Sequence, residues 1–96
     1  MSTAVRDNSR QSRFEAWVDG EFAGFADYVR TGDLVVYPHT EVRAEFEGRG
    51  AGGELARTAL EDADRRGLRV LATCPFIVGW LARHPEYQHL TEGAAS

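Results

Sequence analysis

The sequence predicts a single α/β domain with a mixed sheet, in which an antiparallel β-meander is followed by a helix, a strand and a second helix. Three observations support this prediction. Apolar and polar residues alternate in the first half of the chain, and a helical period replaces that alternation in the second half. The length of 96 residues is enough for one hydrophobic core and too short for two.

The predicted domain covers residues 12–90. Residues 1–11 are polar and show no periodicity, so they are expected to form a flexible tail rather than a secretory signal. Residues 91–96 are expected to form a flexible C-terminus.

The first half of the domain predicts a three-stranded meander, because its apolar residues recur at every second position. Asp19-Gly20 is typical of a tight hairpin turn between the first two strands. Pro38 interrupts the third strand, and a bulge or a free edge is expected there because proline cannot donate to a strand ladder. The strands are predicted over residues 13–18, 21–29 and 34–42. The aromatic residues assigned to the core of the sheet are Trp17, Phe22 and Phe25.

The second half predicts an α-β-α unit. Residues 54–66 place leucines and alanines on one helical stripe, and Gly67 is a suitable C-terminal stop. A short buried strand is predicted over residues 69–73. A second helix is predicted over 75–83, since Pro75 suits its first position and Pro85 would end it.

Composition excludes several classes of function. The net charge of −4 disfavours a nucleic-acid partner, and no apolar segment approaches the roughly 18 residues of a membrane span. All basic residues are arginine, which removes a Walker A loop and a Schiff-base lysine. No G-x-S-x-G or H-E-x-x-H motif is present, so neither a serine hydrolase nor a catalytic metal is expected. The single cysteine, Cys74, excludes an internal disulfide framework and favours a reducing, cytoplasmic location.

The segment Glu47-Gly48-Arg49-Gly50-Ala51-Gly52-Gly53 lies between a predicted strand and a predicted helix. Glycines allow close approach of an anion, and free N–H groups at a helix start point toward it, so the loop predicts a phosphate or pyrophosphate site. Three of the glycines also satisfy G-x-G-x-x-G. However, the next strand carries no acidic residue and the chain lacks alternating β-α repeats, which excludes a dinucleotide-binding fold.

The same loop resembles the acyl-CoA loop of the GNAT superfamily of N-acetyltransferases, which reads Q/R-x-x-G-x-G/A, and here it is Glu47-x-x-Gly50-Ala51-Gly52. The first position departs from that pattern, because Glu47 puts an acid near the pyrophosphate region unless it points away. Arg49 is the nearest compensating charge. The order of four further segments is similar to the short, single-domain (YjdJ-type) branch over residues 13–90: His39-Thr40-Glu41-Val42, Leu55, Cys74-Pro75-Phe76 and His84-Pro85-Glu86-Tyr87.

This resemblance implies a GNAT-like fold and an enzyme that moves an acetyl group from acetyl-CoA directly to a primary amine, with no metal. The pyrophosphate would rest on the loop amides, and the pantetheine would run between two splayed strands, residues 34–42 and 69–73. The acceptor, a small amine or a peptide, is not specified. The residues implied in binding acetyl-CoA are Val42, Glu47, Gly48, Arg49, Gly50, Ala51, Gly52, Gly53 and Cys74.

Three residues are candidates for the chemistry. His39 and Glu41 are two apart on a strand and so share a face, together with Tyr37, and either could deprotonate the amine. Cys74 is predicted at the N-cap of the second helix, where the helix dipole lowers a thiol pKa. It could carry the acetyl group, donate a proton to the leaving CoA thiolate, or be a small buried apolar residue. Direct transfer disfavours the first of these roles.

A second interpretation is a CoA-binding or interaction module without catalysis. The short chain and Glu47 favour it, whereas Cys74, His39 and Glu41 favour an enzyme. The uncovered strand edge expected near Pro38 leaves both a monomer and a homodimer open.

Overall fold

A computed structural model describes residues 2–91 and contains two small β-sheets, two α-helices and two short 3₁₀ helices. The predicted α/β class, with strands first and an α-β-α unit after them, is confirmed. None of the helices described is long and apolar enough to cross a bilayer. The strands are β1 (Thr3–Asn8), β2 (Arg13–Val18), β3 (Glu21–Asp27), β4 (Val29–Thr31), β5 (Leu34–Tyr37), β6 (Thr40–Val42) and β7 (Arg69–Ala72). The α-helices are α1 (Ala51–Arg65) and α2 (Pro75–Arg83), and the 3₁₀ helices span Ala44–Phe46 and Pro85–Thr91.

The strands divide between two sheets because the predicted second and third strands are each cut in two. The larger sheet is antiparallel, with the order β1-β2-β3-β6. The smaller sheet has the order β4-β5-β7, and its β5–β7 pair is parallel. The chain crosses between the sheets at Tyr28 and again at Pro38-His39. The second break follows from proline chemistry, since Pro38 has no N–H to donate to a ladder.

The hairpin between β2 and β3 forms at the predicted dipeptide. Asp19 and Gly20 have φ angles of 49° and 86°, the pair of positive values that a tight turn between twisted strands requires. The turn aligns Val18 with Glu21 and Trp17 with Phe22, and the register of the β2–β3 pair then shifts between Trp17 and Ala16.

The prediction of a flexible tail is wrong for residues 3–8. They form β1, which pairs with β2 from Thr3 opposite Val18 to Asn8 opposite Arg13. The strand escapes pattern analysis because it lies at the sheet edge and only Val5 packs against the core. A side-chain contact also holds β1 in place, since Asp7 accepts a hydrogen bond from the Tyr28 hydroxyl. Residue 91 ends the second 3₁₀ helix, and the rest of the predicted C-terminal segment, residues 92–96, lies outside the described residues.

Helix α1 packs against the inner face of the larger sheet, and both the helix and the sheet contribute buried alanines to this contact. The sheet contributes fully buried alanines, and the helix contributes alanines and leucines to the same core. The three aromatic residues predicted for the core lie instead on the outer face, where they are half-buried. The guanidinium of Arg6 lies over Trp17, and that of Arg13 over Phe22 and Phe25. The buried alanines are Ala16, Ala23 and Ala26 of the sheet and Ala56, Ala59 and Ala63 of α1.

An ion cluster joins the C-terminal end of α1 to the smaller sheet. Asp62 is buried, and its carboxylate accepts hydrogen bonds from Arg30 at 3.0 Å, Arg65 at 2.7 Å and Arg66 at 2.9 Å. Arg30 also reaches Asp7 of β1 at 3.4 Å. The cluster therefore connects β1, β4 and α1.

The two helices differ in how well their limits were predicted. Helix α2 spans the predicted residues 75–83, with Pro75 in its first turn and Cys74 as its N-cap. Helix α1 begins at Ala51, three residues before the predicted start at 54, because Gly52 and Gly53 are helical. Helix propensity disfavours glycine there, and tertiary packing overrides it.

Candidate active site

A cavity of about 330 Å³ opens between β6, the glycine loop and the start of α2. Strand β6 forms one wall, and the loop with the first turn of α1 forms the other. The aromatic ring of Phe76 closes the side nearest α2. The lining residues are Thr40, Val42, Phe46, Glu47, Gly48, Gly50, Ala51, Gly52, Gly53 and Phe76.

The loop presents backbone N–H groups to this cavity. Gly48 and Gly50 have φ angles of 80° and 85°, which strongly favour glycine, and Gly50 is the N-cap of α1. The first helical bond runs from the Glu54 N–H to the Gly50 carbonyl, at 3.0 Å. The preceding N–H groups of the first turn therefore have no partner within the helix, and an α-helix that begins with free amides attracts an anion.

The glycine at position 52 also makes room for Phe76. A Cβ atom on Gly52 would lie 2.7 Å from the tip of the Phe76 ring, which is too close. The ring therefore packs directly on the first turn of α1, and 38% of Phe76 remains exposed. The glycines therefore have two roles: Gly48 and Gly50 adopt positive φ angles, and Gly52 allows Phe76 of α2 to pack closely on α1.

Strand β6 turns part of its backbone toward the cavity. The Asp27 N–H donates to the His39 carbonyl, and the Arg43 N–H donates to the Ala23 carbonyl, both at 2.8 Å. In an antiparallel pair, residues alternate between bonding the partner strand and facing away from it. The backbone groups of Thr40 and Val42 therefore point away from β3, toward the open side of this edge strand.

Cys74 is 4% exposed and is the N-cap of α2, two residues before Phe76; it is not itself among the residues that line the cavity. Its N–H donates to the Tyr37 carbonyl at 3.1 Å, which fixes the residue where β7 gives way to α2. Burial raises the pKa of the thiol, but the amides of Ile77 and Phe76 and the hydroxyl and amide of Thr40 outweigh it, so the pKa lies below its ordinary value. The lowering that the N-cap position predicted is present, and Thr40 is an additional cause.

His39 and Glu41 come together as predicted. His39 Nε2 lies 3.9 Å from Glu41 Oε1, with the two side chains 55% and 64% exposed. Glu41 is opposite Phe25, and the Phe25 ring lies 5.8 Å from that of His39, so the pair sits on the outer face of the larger sheet. Tyr37, predicted to share that face, does not, because the break at Pro38 turns it into the core, where its hydroxyl donates to the Ala59 carbonyl at 2.6 Å.

Thr40, Phe46 and Phe76 line the cavity but were not among the predicted site residues. Thr40 was within reach of sequence reasoning, because alternation along a strand puts it on the face opposite His39 and Glu41. Phe46 sits in a 3₁₀ turn, and the sequence carries no clear sign of that turn. Within residues 2–91, no group of three or more His, Cys, Asp or Glu side chains is arranged to hold a metal ion.

Comparison with known proteins agrees with this geometry. The family model of the GCN5-related N-acetyltransferases matches residues 13–90. The solution structure of a "GCN5-like putative N-acetyltransferase" from Staphylococcus aureus superposes with a TM-score of 0.71 at 21% identity, covering 91% of this chain and 85% of that one. At this identity the likeness concerns the fold alone. No curated protein sequence matches the chain significantly. The family match spans most of the chain, and the protein therefore belongs to the GCN5-related N-acetyltransferase family.

Proposed function

We propose that this protein transfers the acetyl group of acetyl-CoA directly to a primary amine carried by a small molecule or a peptide. The observation that carries the proposal is the cavity itself, which is lined by the first turn of α1, by β6 and by Phe76, two residues after Cys74. An elongated ligand with an anionic group at one end and a thioester at the other suits such a site.

The loop supplies a suitable place for the CoA pyrophosphate. The free amides at the start of α1 would donate to its oxygens, and the left-handed glycines keep side chains out of the way. The backbone N–H of Glu47 is bonded to the Ala44 carbonyl. Because the residue is exposed, its carboxylate can turn away from the pyrophosphate toward solvent. The residues proposed to contact CoA are Val42, Glu47, Gly48, Arg49, Gly50, Ala51, Gly52, Gly53 and Cys74.

The edge of β6 would hold the pantetheine arm. This arm contains two amide groups, and the outward-facing backbone groups of Thr40 and Val42 can pair with amides as an added strand would. The thioester would then lie beyond Thr40, near Cys74. Binding through the main chain explains why this strand turns polar groups toward an open cavity.

His39 and Glu41 are proposed to serve the acceptor. The amine would approach along the outer face, where one of the pair accepts the proton that nitrogen loses as it bonds to the acetyl carbon. The carbon–sulfur bond then breaks. Cys74 would give its proton to the departing CoA thiolate and recover one from solvent afterward.

One observation favours the alternative of a CoA-binding module without catalysis. His39 and Glu41 are more than half exposed, and water competes with any amine at such a position. Tight CoA binding without turnover of any acceptor, across a panel of polyamines and peptides, would support the module.

Substitution in the loop tests the binding site. Gly50→Leu forces a side chain into a left-handed backbone at the N-cap of α1 and should abolish CoA binding measured by calorimetry. Gly32→Leu is the matched control, since Gly32 also has a positive φ and open space around it but lies in the β4–β5 turn. Equal CoA affinity for the two variants would contradict the loop assignment.

The base is tested by comparing Glu41→Gln with His39→Gln in an assay of free CoA thiol released with an acceptor. Removing a general base typically lowers kcat by about 10²–10⁴-fold. The variant that suffers this loss, with CoA affinity kept, identifies the base. If both variants retain wild-type rates, neither residue is the base.

A further inference from the structure

A second cavity, of about 310 Å³, opens beside β7 and shares no lining residue with the cavity described above. We call it the β7 groove. It is lined by residues 70–72 of β7, by Val78, Leu81 and Ala82 of α2, and by Gln88 and Thr91 of the second 3₁₀ helix. None of these side chains is charged, although 27% of the residues in the chain are. The lining therefore suits an uncharged ligand, because a charge placed there would lose its water without gaining a partner.

The groove contains the unpaired backbone edge of a strand. Strand β7 is the last strand of the smaller sheet and pairs in parallel with β5 on one side only. The Arg69 N–H donates to the Asp33 carbonyl of the turn before β5, at 2.7 Å. Every second residue of a strand bonds the same neighbouring strand, so the backbone groups of Val70 and Ala72 point away from β5. Both residues line the groove.

These outward backbone groups lack partners within the part of the chain that the structure describes. No hydrogen bond within residues 2–91 reaches the N–H or the carbonyl of Val70 or Ala72 from the groove side. Val70 is only 1% exposed, so its backbone groups are also poorly reached by water. Buried backbone groups nearly always have a hydrogen-bond partner, which indicates that something else pairs with this edge.

The spacing of the groups identifies the kind of partner. Val70 and Ala72 present donors and acceptors in a row at the repeat of a β-strand, and an extended main chain is the ligand that matches such a row. The walls next to the row are apolar, and Val78 on one of them is 49% exposed. Apolar side chains at alternate positions of an added strand would cover it.

The depth of the edge favours a single peptide over a second copy of this protein. Two copies could join by pairing their β7 strands only if both edges protruded. Here α2 and the second 3₁₀ helix line the groove around a strand whose Val70 is almost fully buried. In a symmetric pair these elements of the two copies would collide before the strands met, whereas a lone extended peptide brings no such walls.

We propose that the β7 groove is a docking site for an extended, uncharged peptide segment of a partner protein, which adds to the edge of β7 as a further strand. The main chain of the segment pairs with Val70 and Ala72, and its apolar side chains lie against α2. This site is separate from the proposed CoA site and does not depend on acetyl transfer.

The probe for the test is a blocked hexapeptide of alternating valine and threonine, titrated into ¹⁵N-labelled full-length protein and followed by NMR. The amide signals of Val70 and Ala72 should shift most, because they donate to the added strand. The control peptide has the same side chains but carries N-methyl groups on two consecutive central residues, which removes donors from both of its edges. It should bind at least about tenfold more weakly.

Two matched protein variants test the position of the groove. Val78→Arg places a charge on the apolar wall and should weaken binding of the probe by about tenfold or more. Val29→Arg should leave it unchanged, since Val29 is similarly exposed, at 54%, but lies on β4 at the other edge of the smaller sheet. If Val78→Arg does not fold, Ala82→Glu in the exposed part of the same wall provides the comparison.

Several results would overturn the proposal. They are a wild-type protein that ignores the probe, equal binding of the N-methylated peptide, or equal losses in Val78→Arg and Val29→Arg. A wild-type dimer that Val78→Arg converts to a monomer, seen by light scattering, would assign the groove to a second copy instead. Binding of the probe only after removal of residues 92–96 would assign it to the chain itself. Calorimetry with CoA keeps the two proposals apart, because Val78→Arg should retain whatever CoA affinity the wild type has.

Discussion

Gly24 lies where β3 and β6 approach each other closely, and one added methyl group there would test how the cleft is built. A Cβ atom at this position would lie 2.4 Å from the carbonyl oxygen of Glu41 and 2.9 Å from the Cα of Val42. Both obstacles are backbone atoms, so neither can rotate aside as a flexible side chain would. Gly24→Ala therefore forces the two strands apart.

The size of the displacement follows from the same distances. Ordinary van der Waals contact begins at 3.4 Å, so β6 must move by about 1 Å, the difference between 3.4 and 2.4 Å. Overpacking of this kind costs on the order of 1–3 kcal/mol, and a domain of this size loses about 4–8 °C in Tm for each kcal/mol. Because β3 blocks the other direction, β6 moves toward the cavity, and CoA should bind more weakly.

Urea denaturation and calorimetry with CoA measure the two effects. Gly79→Ala in α2 is the control, because an added methyl group there should raise stability instead of lowering it. The nearest atom to its Cβ would be Arg83 Nη1, at 3.7 Å, which is ordinary contact. Replacing this helical glycine should stabilise the protein by roughly 0.5–1 kcal/mol. Wild-type stability and CoA affinity in Gly24→Ala would refute the close packing of β3 and β6.

Three further predictions concern stability. Asp62→Asn removes a carboxylate charge that three arginines share, from a side chain that is 6% exposed. It should lower the free energy of unfolding, measured by urea denaturation, by about 1–3 kcal/mol. Asp64→Asn on the exposed helix face should lower it by less than about 0.5 kcal/mol. Equal losses in these two variants would contradict the role of the cluster. Tyr37→Phe deletes a buried hydroxyl bonded at 2.6 Å and should cost about 1 kcal/mol, whereas the exposed bond lost in Tyr87→Phe should cost much less. Burial raises the pKa of Glu15, but hydrogen bonds from β1 and β2 side chains outweigh it and hold the pKa below 4.5. This stabilisation is present above pH 4.5 and is lost as the pH falls through the lower folded-state pKa, so Glu15→Gln should flatten the acid side of the stability curve. An unchanged acid slope would show that the pairing adds nothing.

Local signals in the sequence predicted those elements that are bounded by special residues. The β2–β3 turn at Asp19-Gly20 and the limits of α2 between Pro75 and Pro85 depend on local backbone chemistry, which any fold must respect. Strand β1 depends instead on pairing with β2, and its polar sequence carries no local sign of that partner. The outward position of Trp17, by contrast, follows from alternation along β2, which turns Phe14, Ala16 and Val18 into the core.

The site shows the same division. The glycine loop was predictable because positive φ angles and free amides are local properties of a loop that precedes a helix. The position of Phe46 in the cavity lining was not predicted, since it depends on a 3₁₀ turn that the sequence does not signal. The break at Pro38 decides that Tyr37 is core and not site.

The division of one meander into two half-sheets has an evolutionary consequence. The polar groups that it turns toward the cavity belong to the main chain, which every residue type carries and substitution does not remove. Side chains around the cleft can therefore diverge widely while its hydrogen-bonding pattern persists. The fold that this chain shares with the staphylococcal protein at 21% identity is consistent with such divergence of side chains.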